Sequence, residues 1–439
     1  MPLVSSILRR EERTIDARSE GPVKTFATNQ LASNTPIEDV HVEAECLLQQ
    51  GLLFGTFDGH GGPACARMVS RRLLHYLAAA LLPVDILRQN YAFLKGTCGA
   101  KLLDLYDNEG MYSIETKNPM YRALFDRYLE DILQMNGFQS IEDAFHYAFV
   151  RVDSDMSTEI IQSSNVGTLS SELLSVAISG AVTCVAYVQG SNLFVANLGD
   201  CAAYLGVNTS PNTWVPKKLT LEHSCENASE VLRVLLEHPE AEKETVIKQD
   251  RLLGQLAPLR ALGDFRYKWD LATQRKLLLP FYGQDVIPPN YYSPPYLSSI
   301  PDVVHHKLNM KDHFLVIATD GLWEQMLPTE VIQLIGEHMG GHVSLGLVKI
   351  PPHQLTLADV NKMLMERKKH ARVKPMDLNG ATHLIRSALG GCDFGIDQQK
   401  LADSLALPDD IVRLYRDDIT VVVLYFDIDF LRQHATAFN

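Results

Sequence analysis

Leu52-Leu53-Phe54-Gly55-Thr56-Phe57-Asp58-Gly59-His60-Gly61-Gly62 decides the reading of this chain: an apolar strand runs into a carboxylate and an imidazole, and glycines follow. A strand ending this way can deliver Asp58 to a metal, since hard divalent cations take oxygen ligands. Three other apolar runs, far apart in the 439 residues, also end or begin at aspartate: Phe194-Val195-Ala196-Asn197-Leu198-Gly199-Asp200, Phe314 to Gly321 around Asp320, and Asp417-Asp418-Ile419 leading into Thr420 to Val423. Four strands are expected to bring acids to one edge.

Composition narrows the classes. With 46% hydrophobic residues the chain can bury one large core or two ordinary ones, and no apolar run approaches the roughly 18 residues that span a bilayer. Forty basic against fifty-three acidic side chains give a formal charge of −13, which opposes binding to a phosphate backbone and excludes nucleic acid as the natural partner. The seven cysteines are odd in number and never form a C-x-x-C pair, so neither a disulfide framework nor a zinc cluster is expected. Met1 to Arg10 mixes apolar and basic residues, but Glu11 and Glu12 follow at once, unlike an acid-poor transit peptide.

Residues 1–30 show no sustained period and are expected to form an N-terminal arm or a first edge strand, with the packed domain beginning near Ile37. After the Asp58 turn, Pro63 suits a first helical turn, and Ala66, Val69, Leu73, Leu74 and Leu77 give a helical stripe. Helices are expected over Tyr121–Met135, from the Ser140-Ile141-Glu142-Asp143 capping box, and over Pro328–Met339. Residues 181–188, 192–198 and 202–207 read as an antiparallel meander. The prolines at 288–289 and 294–295 make residues 280–301 an extended, tethered loop. Strand runs and helix runs are segregated, which favours an α+β fold over a doubly wound parallel sheet.

Asp58, Asp320 and Asp417 are the expected ligands of Mg²⁺ or Mn²⁺. If Asp58 bridges two ions about 3.5–4 Å apart, the pair polarises a phosphoryl oxygen for in-line attack. Gly59, lacking a Cβ, lets its carbonyl turn toward the metal and a phosphate come close. Glu38 or Asp39 can complete the second ion's shell, His60 is the natural general acid for a departing alkoxide, and Asp200 with Asp320 forms a weaker third site. Singly, each aspartate reads equally well as a turn; Asp264 in Ala261-Leu262-Gly263-Asp264 is assigned to a turn or cap. Jointly, four strand-terminal acids and one DGHGG favour a site.

Asp58-Gly59-His60-Gly61-Gly62, Ser179-Gly180-Ala181, Ala196 to Asp200, Arg260 to Asp264, Ala318 to Glu324 and Arg416 to Val421 resemble, in order, the motifs of the metal-dependent type 2C serine/threonine protein phosphatases. The resemblance implies a four-layer α-β-β-α sandwich, two antiparallel sheets flanked by helix pairs, with a binuclear metal cleft at one sheet edge. It also implies a single domain over residues 31–430, carrying a helical insertion near 84–139 and the proline-rich loop near 280–301. Carried over, Asp58, Asp320, Asp417, Glu38 and the Gly59 carbonyl are metal ligands, Asp200 serves the third ion, and His60 is the acid. Two positions depart from the pattern. Asn34 stands where the family has a phosphate-holding arginine, and Cys201-Ala202 where it usually has Ser-Arg. An amide at Asn34 can still donate to phosphate, without the charged fork.

Outside those motifs, Pro36 to Asp39, Lys248 to Gly254, Phe265 to Trp269, residues 288–297 and Ala381 to Arg386 are similar to the pyruvate dehydrogenase phosphatase branch of the family. That resemblance implies a mitochondrial matrix enzyme acting on phosphoserine of the pyruvate dehydrogenase E1 alpha subunit, docked to the lipoyl domain of E2 with Ca²⁺ at the docking step. The same chemistry on another phosphoprotein, and a catalytically silent pseudophosphatase, are the alternatives; no expected ligand is missing, which disfavours the second.

Overall fold

A computed structural model describes residues 2–106, 115–210, 213–341, 356–370, 375–392 and 395–435. The chain forms two compact units, Met1–Ile37 with Ala202–Leu219 and His306–Asn439, and Glu38–Cys201 with Thr220–His305.

The first unit is built on a six-stranded antiparallel sheet, ordered Arg13–Asp16, Val23–Leu31, Ile419–Phe426, Asp312–Ala318, Ala202–Ser210 and Thr213–Lys218. Phe314, Val316 and Ala318 alternate onto one face beside Ile419, Val421 and Val423, as the strand period of two requires. They form a core with Val331 and Ile335 of helix Pro328–Met339 and Leu384 and Ile385 of helix Gly380–Gly390. The expected N-terminal arm is corrected here. Arg13–Asp16 is indeed an edge strand, but Val23–Leu31 lies inside the sheet, paired with Ile419–Phe426, so packing starts well before Ile37. The polar residues of this strand hid it. Asn29 is buried and donates its amide to Leu8 O at 2.7 Å and Thr382 Oγ1 at 2.8 Å, which is how a polar side chain is tolerated in a core.

The second unit holds a seven-stranded antiparallel sheet, ordered Asp302–Lys307, Asn192–Leu198, Gly180–Gln189, Leu52–His60, Val40–Cys46 and Leu103–Leu105, with Leu262–Gly263 also on Gly180–Gln189. Helix Ala64–Leu81 begins directly after the glycines, Pro63 at its entry. Val69, Leu73 and Leu77 bury against Phe145, Phe149 and Val152 of helix Ile141–Asn165, whose cap Ser140 accepts from the Asp143 amide as expected. The expected meander holds for two strands only: Gly180–Gln189 pairs with Asn192–Leu198, whereas Ala202–Ser210 pairs with Asp312–Ala318 in the other sheet. The chain changes sheet at Gly199-Asp200-Cys201, where Gly199 has φ 102°, a conformation that glycine adopts without a Cβ penalty. Of the expected loop 280–301, the start lies in helix Leu279–Tyr282 and the 3₁₀ turn Gln284–Val286; residues 287–301 carry neither helix nor strand and are tied down by Tyr291, donating to Trp269 O, and Tyr296, donating to Glu242.

Two antiparallel sheets with segregated helices make this an α+β protein, as expected. Among the described residues no helix is long and apolar enough to cross a membrane.

Candidate active site

In the second unit the site grows from strand register. Leu52–His60 pairs with Gly180–Gln189 so that Asp58, Gly59 and His60 face Val182, Ala181 and Gly180. A side chain on Gly180 would overlap both Asp264 Oδ2 and His60 Nε2; its absence lets those two atoms meet at 2.6 Å. Asp264 is buried, sits at φ 50°, and is fixed by its own amide donating to Ser179 O at 2.9 Å. The assignment of Asp264 to a turn therefore captured its backbone and missed its side chain. The partner lies 204 residues away, and no local pattern signals it.

Glu38 and Asp39 separate. Asp39 is buried, while the Glu38 carbonyl approaches the Gly59 backbone so closely that a Cβ on Gly59 would stand 2.5 Å from it. Asp200 follows Gly199, whose amide donates to His223 Nδ1 at 3.0 Å, and His223 Nε2 lies 2.9 Å from Asp302. Asp58 and Asp200 bring carboxylate oxygens within 4.8 Å of each other. Burial pushes the Asp200 carboxyl above its ordinary range, with His60 pulling the other way. For His60, burial opposes the charged ring, but Asp264, then Asp200 and Glu38, outweigh it and raise its pKa.

In the first unit, Asp320 opens helix Asp320–Trp323 at the end of Asp312–Ala318. Gly321 is required beside it, because a Cβ there would overlap the Asp418 carbonyl. Asp418 is buried and accepts from the Ser33 amide at 2.5 Å, the Asn34 amide at 2.8 Å and Asn34 Nδ2 at 2.9 Å. Its neighbour Asp417 is half-buried and accepts from the Asp418 amide at 2.8 Å. Asp418 is thus the more buried and more fully hydrogen-bonded carboxylate of the pair. Asn34, expected at the phosphate, lies among these groups.

These donors suit a hard divalent cation. Such a cation takes oxygen ligands, and the carboxylates of Asp58 and Asp200 in the second unit offer them at close range. The chain belongs to the protein phosphatase 2C family, whose profile matches residues 33–349, and it is accordingly a metal-dependent protein phosphatase of the Mg²⁺/Mn²⁺ type. Its curated relatives include mitochondrial pyruvate dehydrogenase (acetyl-transferring) phosphatase 1 of Bos taurus, 38% identical over 97% of this chain and 82% of that protein. The Homo sapiens phosphatase 1 is 37% identical over 97% and 83%, and Homo sapiens phosphatase 2 is 38% identical over 97% and 83%.

Proposed function

We propose that this protein is a pyruvate dehydrogenase phosphatase of the mitochondrial matrix, removing phosphate from serines of the E1 alpha subunit. The observation that carries this reading is the identity of 37–38% to pyruvate dehydrogenase phosphatases across 97% of the chain and more than four-fifths of each relative, with Asp58, Asp200, Asp320 and Asp417 all in place. We assign Asp58, Asp320 and Asp417, with Glu38 and the Gly59 carbonyl, to two ions, and Asp200 with Asp320 to a third. When bound, Mg²⁺ or Mn²⁺ supplies Lewis acidity toward the phosphoryl group. His60 gives its proton to the departing serine oxygen, and Asp264 holds the ring and the proton in place. Docking to the lipoyl domain of E2, with Ca²⁺ at that contact, belongs to the same reading.

The test compares phosphate release from phosphorylated E1 and from an unrelated phosphoprotein, with Mn²⁺ or a chelator, with and without the lipoyl domain and Ca²⁺. Faster release from E1, enhanced by the lipoyl domain and abolished by chelator, is expected. Equal rates on both phosphoproteins sink the substrate assignment; an unchanged rate on adding the lipoyl domain sinks the docking step.

A further inference from the structure

Asn34 is committed elsewhere than to a substrate. Its Nδ2 donates to Asp418 Oδ2 at 2.9 Å and, longer, to Asp417 Oδ1 at 3.4 Å, while its Oδ1 accepts from Arg413 Nη1 at 2.5 Å. The amide cannot turn over: carboxylates only accept and a guanidinium only donates, so the nitrogen must face the acids and the oxygen the arginine. Asn34 therefore presents Arg413 beside Asp417. The Arg413 side chain is 49% exposed on the 3₁₀ turn Val412–Leu414, its Nη2 3.8 Å from Asp417 Oδ2, a separation at which an exposed ion pair binds weakly. The neighbouring Arg416 is the structural cation, buried and donating inward to Ala32 O and Ser33 Oγ.

Resting on the phosphatase reading above, we infer that Arg413 is the group that grips the phosphoryl dianion of the substrate, and that Asn34 is its positioning residue. A planar guanidinium fork matches a phosphate through two parallel N–H···O bonds, which a point-like ammonium does not. The competing role for Arg413 is to neutralise Asp417. That role predicts tighter Mn²⁺ binding when the arginine is removed and no change in phosphate affinity.

The experiment titrates inorganic phosphate into the Mn²⁺-loaded full chain by calorimetry, measures the Mn²⁺ dissociation constant, and follows kcat and KM on a phosphoserine peptide. Arg413→Ala is expected to raise the phosphate dissociation constant and KM about tenfold, with kcat and Mn²⁺ affinity little changed. Arg413→Lys recovers part of the loss. Asn34→Ala moves the same quantities by less, and adding it to Arg413→Ala changes nothing further, because a positioning residue has no effect once its object is gone. A phosphate dissociation constant within about twofold of wild type in Arg413→Ala, the size of an ordinary exposed pair, overturns the proposal. Additive effects of the two substitutions overturn the positioning role. A wild type that hydrolyses nothing, yet binds phosphate in an Arg413-dependent way, refutes the phosphatase reading and upholds this one.

Discussion

Two histidines, one in each unit, show how neighbours decide what a shielded imidazole does. Burial alone would drive both toward the neutral ring. His383, on helix Gly380–Gly390, follows that rule: burial, then the ring of His338 stacked 4.9 Å away and the Arg386 guanidinium, push its pKa down to about 4, with Asp377 opposing. The acid that opposes this, Asp377, is already spent, because Arg386 binds both of its oxygens and Arg9 binds it as well. His60 breaks the rule. Asp264, Asp200 and Glu38 surround it, and its pKa rises despite burial. Unmatched carboxylates hold a proton on a shielded imidazole, and an acid already paired with arginines does so far less.

The largest effect should come from removing a carboxylate assigned to the metal ions. Asp58→Asn preserves size and removes the charge, and is expected to lower kcat on a phosphoserine peptide by ~10³-fold or more while the melting temperature holds. Retention of a substantial share of wild-type activity would show that the carboxylate is not a ligand. Asp264→Asn comes next. It leaves a hydrogen-bonding partner but withdraws the charge that sets His60 apart from His383, so kcat should fall by about 10–10²-fold with KM steady. An aryl phosphate, whose leaving group needs no proton, should lose far less. An equal loss on both substrates would mean that Asp264 supports the fold of the site and not the proton transfer.

The acids on strand ends were legible because each lies where an apolar run ends or begins at an aspartate, a local pattern. Asp264 was half legible: Leu262-Gly263-Asp264 signals a turn, and the structure has one, but its carboxylate serves a ring 204 residues away. Gly180, the first residue of strand Gly180–Gln189, leaves the room for that contact, but a glycine at a strand end reads as an ordinary turn residue. In Val23–Leu31 the thread was lost because Thr25, Asn29 and Gln30 mask the apolar face, and a buried asparagine is intelligible only once Leu8 and Thr382 are known to receive it. Asn34 was legible as a departure and not as a device, because Arg413, which gives it a purpose, is 379 residues away.

The smallest effect at neutral pH, and the sharpest check of the contrast, lies with His383. Its folded pKa, about 4, is below the ordinary 6.5, so above pH 6.5 the ring is neutral whether the chain is folded or not and contributes no pH dependence. Between 6.5 and about 4 the unfolded chain takes up a proton that the folded one refuses, so stability falls as pH falls. The full loss from this group is on the order of 3 kcal/mol. His383→Gln removes the titration, so its melting temperature should decline less than that of wild type between pH 7 and pH 4.5, and the difference between the two proteins isolates this ring from every carboxylate that titrates in both. Parallel declines would mean that His383 carries its proton inside the fold. Burial would then not have kept this ring neutral, and the contrast with His60 would fail.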